Sequence, residues 1–161
     1  MLWDEEFKPL RDVFDRLPGD RRFALAVAAI DRTLDGFDPP LEGGRPAELL
    51  RECLNIARAG VDGGFAGLTL PDGAAEELSM TLSEPMESGV GPLILAVVNF
   101  FELPEEGLPA QALYAVFSHC YEAVYEREEA AGNELRTVED ERANPRLTAT
   151  IAWEKELLAQ N

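Results

Sequence analysis

Apolar residues recur along this chain at spacings of three and four, and the stripes they draw predict helices along most of its length. Phe7, Leu10, Phe14 and Leu17 form the first stripe, with Asp4, Glu5 and Glu6 in the first turn, where carboxylates favour the positive end of a helix dipole. A helix is expected from about Asp4 to Leu17. Pro18-Gly19 breaks it, Asp20 is a suitable N-cap, and Phe23, Val27, Ile30 and Leu34 mark a second helix that ends near Gly36.

Phe37 to Arg45 holds Pro39-Pro40 and Gly43-Gly44 and reads as a loop. Pro46 then opens a third helix carrying Leu49, Leu50, Cys53, Leu54 and Ala57, which Gly60 is expected to stop. From there to Leu70 and Asp72, glycines surround Phe65, Leu68 and Leu70, a pattern that fits a long loop or a short hairpin. Asp72 is placed to cap a short helix from Ala74 to about Ser83. Pro92 opens a helix that is apolar on nearly every side through Phe101, and such a helix belongs in the middle of a bundle.

A long helix from Pro109 sets Leu113, Val116, Phe117, Cys120 and Val124 on one face and Glu122, Glu126 and Glu129 on another. After Gly132-Asn133 and the charged stretch Thr137 to Arg142, Asn144-Pro145 reads as an N-cap with proline at the first helical position. The last helix carries Leu147, Ile151, Glu154 and Leu158 along one stripe. Together these elements predict an all-α fold: one domain over residues 1–161, an irregular bundle of about seven helices, with a short hairpin or long loop at 60–72.

Charge changes this picture more than composition does. With 46% hydrophobic and 28% charged residues the chain is ordinary for a globular protein, and 161 residues can bury about two thirds of the unfolded surface without metal or disulfide staples. The net charge of −17, however, is concentrated. From Ala59 to Glu126 there is no lysine or arginine, against Asp62, Asp72, Glu76, Glu77, Glu84, Glu87, Glu102, Glu105, Glu106, Glu122 and Glu126. A surface of one sign repels itself and favours a cationic partner, and at a pI near 4.3 it disfavours contact with nucleic-acid phosphates.

Catalytic and metal chemistry find little purchase. His119 is the only histidine, so a histidine-based metal site or a di-iron Glu-x-x-His pair cannot form, and no triad signature surrounds it. The glycine clusters Gly43-Gly44 and Gly63-Gly64 lack the lysine of a phosphate loop, and calcium-loop spacing is absent around Asp62 and Asp72. Cys53 and Cys120 each fall within an apolar helical pattern and read as buried reduced thiols. No cofactor and no enzymatic activity are expected.

The first residues, Met1 to Glu6, are acidic where a signal peptide is basic, and the run Pro92 to Phe101 is about half a membrane span. A cytoplasmic protein without membrane contact is expected. Only Lys8 and Lys155 represent lysine while alanine, glycine, proline and arginine abound, which suggests a GC-rich bacterial coding sequence.

Two stretches, Arg22 to Arg32 (RFALAVAAIDR) and Glu141 to Glu154 (ERANPRLTATIAWE), resemble the helical ends of small acidic bacterial toxin-immunity proteins. The resemblance implies a protein that neutralises a toxin domain by binding it, without catalysis of its own, and it carries no binding residues with it. The expected function is thus an inhibitory binding protein, an immunity protein or antitoxin that occludes a basic partner such as a toxin nuclease domain. A regulatory or scaffold subunit of a larger assembly, and a small helical enzyme, are the competing readings. The expected contact residues are Glu76, Glu77, Glu84, Glu87, Glu102, Leu103, Glu105 and Glu106, with Met80, Met86, Phe65 or Leu103 as apolar anchors.

Overall fold

The computed structural model describes residues 1–63, 68 and 70–160, and among them every regular element is helical. The elements are α1 (Leu2–Phe7), α2 (Arg11–Arg16), α3 (Gly19–Asp35), α4 (Arg45–Gly63), α5 (Ala74–Thr81), α6 (Val90–Val97), α7 (Ala110–Ala130), α8 (Val138–Arg142) and α9 (Pro145–Ala159). A 3-10 turn, Lys8–Leu10, joins α1 to α2, and another, Val98–Phe100, ends α6. The bundle expected from the apolar stripes is the fold observed. The element without a stripe, α8, is announced instead by its cap. Thr137 accepts from the Asp140 backbone N–H while the Asp140 carboxylate accepts from that of Thr137, satisfying two donors that a helix start leaves free.

At the centre lies α7, packed against α3 and α6 and touching α1, α2 and α9. Leu113, Val116, Phe117, Cys120, Tyr121 and Ala123 are all fully buried, so α7 has no broad solvent face until its last two turns, where Glu126 and Glu129 emerge. As its composition predicts, α6 is covered on most sides, although Leu95 remains 37% exposed. The N-terminal helices seal one end through aromatic contacts: Trp3 stacks on Phe7 at 4.6 Å and meets Tyr114 edge-on at 4.8 Å, and Phe14 meets Phe117 edge-on.

Several boundaries differ from the sequence reading, each for a physical reason. Gly60 does not stop α4, which continues to Gly63. Its missing side chain lets Phe23 and Leu68 close on the helix, a Cβ there lying 2.9 Å from Leu68 and 3.5 Å from the Phe23 ring. Of the segment 60–72, residues 64–67 and 69 lie outside the described residues, and the hairpin expectation falls largely on them. Asp72 is not the cap of α5; Gly73 is, with φ of +76°, a conformation open to glycine.

Asp20 likewise lies inside α3, which begins at Gly19 with Pro18 as an extended N-cap. The helix starts there because the turn before α7 crosses it at backbone distance: the Leu108 N–H donates to the Gly19 carbonyl at 3.1 Å. At the other end of the chain, Asn144 caps α9 as expected, its side-chain oxygen accepting from the Arg146 and Leu147 amides at 3.0 and 3.1 Å.

Candidate functional site

The expected contact residues are divided by the fold into three places. Glu76 and Glu77 lie on α5, where Glu76 is exposed and Glu77 receives a two-pronged pair from Arg45, Nε at 2.5 Å and the second nitrogen at 2.9 Å. This pairing holds the Glu77 carboxyl below its usual range, and it stands in solvent. Glu102, Leu103, Glu105 and Glu106 form the turn before α7; the three glutamates are exposed, Leu103 rests partly on the core, and Glu102 has φ of +53°. Glu84 and Glu87 lie at the opposite end of α7.

There, the connection from α5 to α6 faces the last turns of α7 across a groove of about 680 Å³. Leu82, Met86, Pro92 and Leu95 supply its apolar lining, and Glu84, Glu87, Glu122, Glu126 and Glu129 stand around them. Leu82 and Leu95 are each 37% exposed, Met86 is half-buried, and Met80, two residues before Leu82, is 67% exposed. Sequence reading named Glu84, Glu87 and Met86 on one side of this groove and the Glu122, Glu126 and Glu129 face on the other, without bringing them together. It missed Leu82 and Leu95 because each lies in an apolar pattern that reads as core.

Two of the five glutamates tie the groove's own wall in place. Glu87 accepts the Glu42 backbone N–H at 3.0 Å on both oxygens and pairs with Arg127 at 3.3 Å, and Glu126 accepts the Gly89 N–H at 2.9 Å. Arg45 and Arg127 thus come from outside the lysine- and arginine-free stretch to balance carboxylates within it. Glu84 and Glu129 are exposed and have no ion pair among the described residues, and Glu122 makes only long contacts, 3.4 Å to His119 and 3.5 Å to Ser118. These three carry no short ion pair among the described residues.

The other distinctive carboxylates are buried and hold the chain ends together. Glu141 accepts the Leu2 N–H at 3.2 and 3.3 Å and the Tyr121 hydroxyl at 2.8 Å; Glu154 accepts the Trp3 indole N–H at 2.7 Å, leaving its Oε1 without a partner. Burial pushes the Glu154 carboxyl well above its ordinary value of 4.5, against the smaller opposing effect of the Trp3 bond. Below the unfolded value both states are protonated and nothing is lost. As pH rises past it, the unfolded chain ionises while folded Glu154 keeps its proton, so stability falls by up to about 1.4 kcal/mol per pH unit until the folded value is reached. Glu154→Gln is therefore expected to match the parent near pH 4 and to exceed it by a margin that grows toward pH 7. Urea titrations across that range measure the margin, and a constant difference refutes a protonated Glu154.

Among the described residues no group of three or more His, Cys, Asp or Glu side chains is arranged to hold a metal ion. Cys53 and Cys120 are buried and unpaired, and burial raises both thiols, so neither is prepared as a nucleophile. No described helix is long and apolar enough to cross a membrane. No protein family, curated protein or solved structure matches this chain.

Proposed function

We propose that this chain is a non-catalytic inhibitory binding protein that occludes a basic partner, such as a toxin domain, by taking a cationic segment of it into the acidic groove. The observation that carries this reading is the coincidence of carboxylates that make no short ion pair among the described residues, Glu84, Glu122 and Glu129, with the exposed Leu82 and Leu95 and the half-buried Met86. Carboxylates alone are a solvated surface; an apolar floor between them supplies the desolvated contact from which affinity comes, while the charges raise the association rate and select the partner. Of the expected contact residues, Glu84 and Glu87 at this groove therefore stand ahead of Glu102, Glu105 and Glu106 at the other end of α7.

The experiment compares two triple variants in co-expression with each strongly basic protein encoded beside this chain, followed by stopped-flow association with the one that it neutralises. Glu84→Gln, Glu122→Gln and Glu129→Gln together are expected to slow association by about an order of magnitude at low salt, the gap closing as salt screens the charges. Stability is expected to change little, since exposed charges contribute about 0–1 kcal/mol each. Glu102→Gln, Glu105→Gln and Glu106→Gln together serve as the comparison. A slowing confined to this second set places the interface at the turn before α7, and no slowing by either set refutes electrostatic recognition.

A further inference from the structure

Three arginines meet at one cavity of this acidic molecule. It encloses about 370 Å³ between the end of α3, the chain just after it, the last turns of α7 and the first turns of α9. Arg32, Arg127 and Arg146 line it together with Asp38 and Glu128, whereas the acidic groove is lined by five glutamates, of which Glu87 pairs with Arg127. Phe37 and Trp153 give the same cavity two aromatic walls.

The three arginines are not equivalent. Arg146 donates to the Asp38 carbonyl at 3.1 Å and lies 3.3 Å from the Asp38 carboxylate and 3.7 Å from Glu128. Arg127 donates to the Pro39 carbonyl, pairs with Glu87, and covers the Phe37 ring at 4.9 Å. Both hold the fold. Arg32 lies over the Trp153 ring at 5.0 Å and has no ion pair among the described residues. A guanidinium held on an aromatic face keeps its edge donors for a planar anion, and the stacking restricts its motion before a ligand arrives.

We propose that this cavity binds a small organic monocarboxylate with a planar apolar body, its carboxylate on Arg32 and its body against Trp153 and Phe37. A carboxylate matches the paired donors of a guanidinium. Arg127 pairs with Glu87 and Arg146 with Asp38 and Glu128, so Arg32 is the one guanidinium of the three without a carboxylate among the described residues. A single negative charge matches it, whereas a phosphate dianion would leave uncompensated charge inside a molecule of net charge −17. The volume lies near the lower end of small-ligand sites and calls for a body of about one ring.

Calorimetry on the full chain with benzoate, benzamide and phenyl phosphate tests the assignment, with tryptophan fluorescence as a second readout. Benzoate is expected to bind saturably, one per chain, and to perturb the emission of Trp153. Benzamide, which lacks the charge, and phenyl phosphate, which carries too much, are expected to bind at least about tenfold more weakly, as is benzoate to Arg32→Gln. Arg32 is exposed and makes no ion pair among the described residues, so the variant, which loses only the contact with Trp153, is expected to melt within about 5 °C of the parent. Absence of saturable benzoate binding at low-millimolar concentrations overturns the proposal, as does equal binding by benzamide or by Arg32→Gln. Tighter binding of phenyl phosphate overturns the single-charge assignment and makes the cavity a phosphate site.

Discussion

Gly19→Ala lowers the unfolding free energy by at least about 3 kcal/mol, the expected result of placing one methyl group where two backbones touch. A Cβ on Gly19 would overlap the Glu106 carbonyl oxygen and lie 2.7 Å from the Glu106 carbonyl carbon and 3.0 Å from the Gly107 Cα. Gly107 reciprocates: its own Cβ would lie 2.6 Å from the Gly19 carbonyl oxygen and 2.8 Å from the Asp20 nitrogen, at φ of +99°. None of these neighbours is a flexible side-chain tip that can swing aside. Relief requires the turn before α7 to withdraw from α3, breaking the Leu108 to Gly19 hydrogen bond and loosening the contact between two central helices. Gly63→Ala is the matched control, because no atom of the described residues lies within 4 Å of a Cβ built there. Urea midpoints of both variants measure the difference, and a Gly19→Ala midpoint equal to that of the control shows that the close approach is wrong.

Removing the indole of Trp3 is expected to have an effect of similar size. Trp3→Ala leaves a cavity beside Phe7 and Tyr114 and takes away the N–H that Glu154 accepts, so the expected loss is about 3–5 kcal/mol. Trp3→Phe separates the two contributions. It keeps an aromatic ring in the stack but strands both Glu154 oxygens, and its loss is expected to be smaller by at least about 1 kcal/mol. Thermal and urea unfolding of the pair provide the test; equal losses would mean that the ring retained by Trp3→Phe contributes nothing to stability.

The stripes that define α3, α7 and α9 were legible because burial on one face of a helix imposes its period on the sequence, and the Asn144-Pro145 start was legible because capping is local chemistry. What stayed hidden depends on residues far apart in the chain. Gly19 reads as a breaker after Pro18, and only the return of the chain at Glu106 and Gly107 shows why no other residue fits. The lysine- and arginine-free stretch reads as unbalanced charge because counting along the sequence cannot show Arg45 and Arg127 reaching into it. The acidic groove was half-legible: its two banks could be named from helix phase and loop composition, but the tertiary packing that places them face to face could not. Glu154 did leave a signal, a carboxylate in phase with Leu147, Ile151 and Leu158, and a charge on an apolar stripe requires a partner. Trp3, 151 positions away, is that partner.

The same clasp governs the order in which the molecule can be completed. Trp3 and the Leu2 amide meet their acceptors on Glu154 and Glu141, while Glu5 pairs with Arg142 and Glu6 with Lys155. During synthesis α1 precedes α8 and α9, so its donors wait for Glu141 and Glu154 until those helices have emerged. Without α9 the Trp3 and Phe7 rings would still meet Tyr114 and Phe117 of α7, but the indole N–H would have lost its Glu154 acceptor, so the last helix acts as a polar latch on an aromatic seat that the rest of the bundle builds.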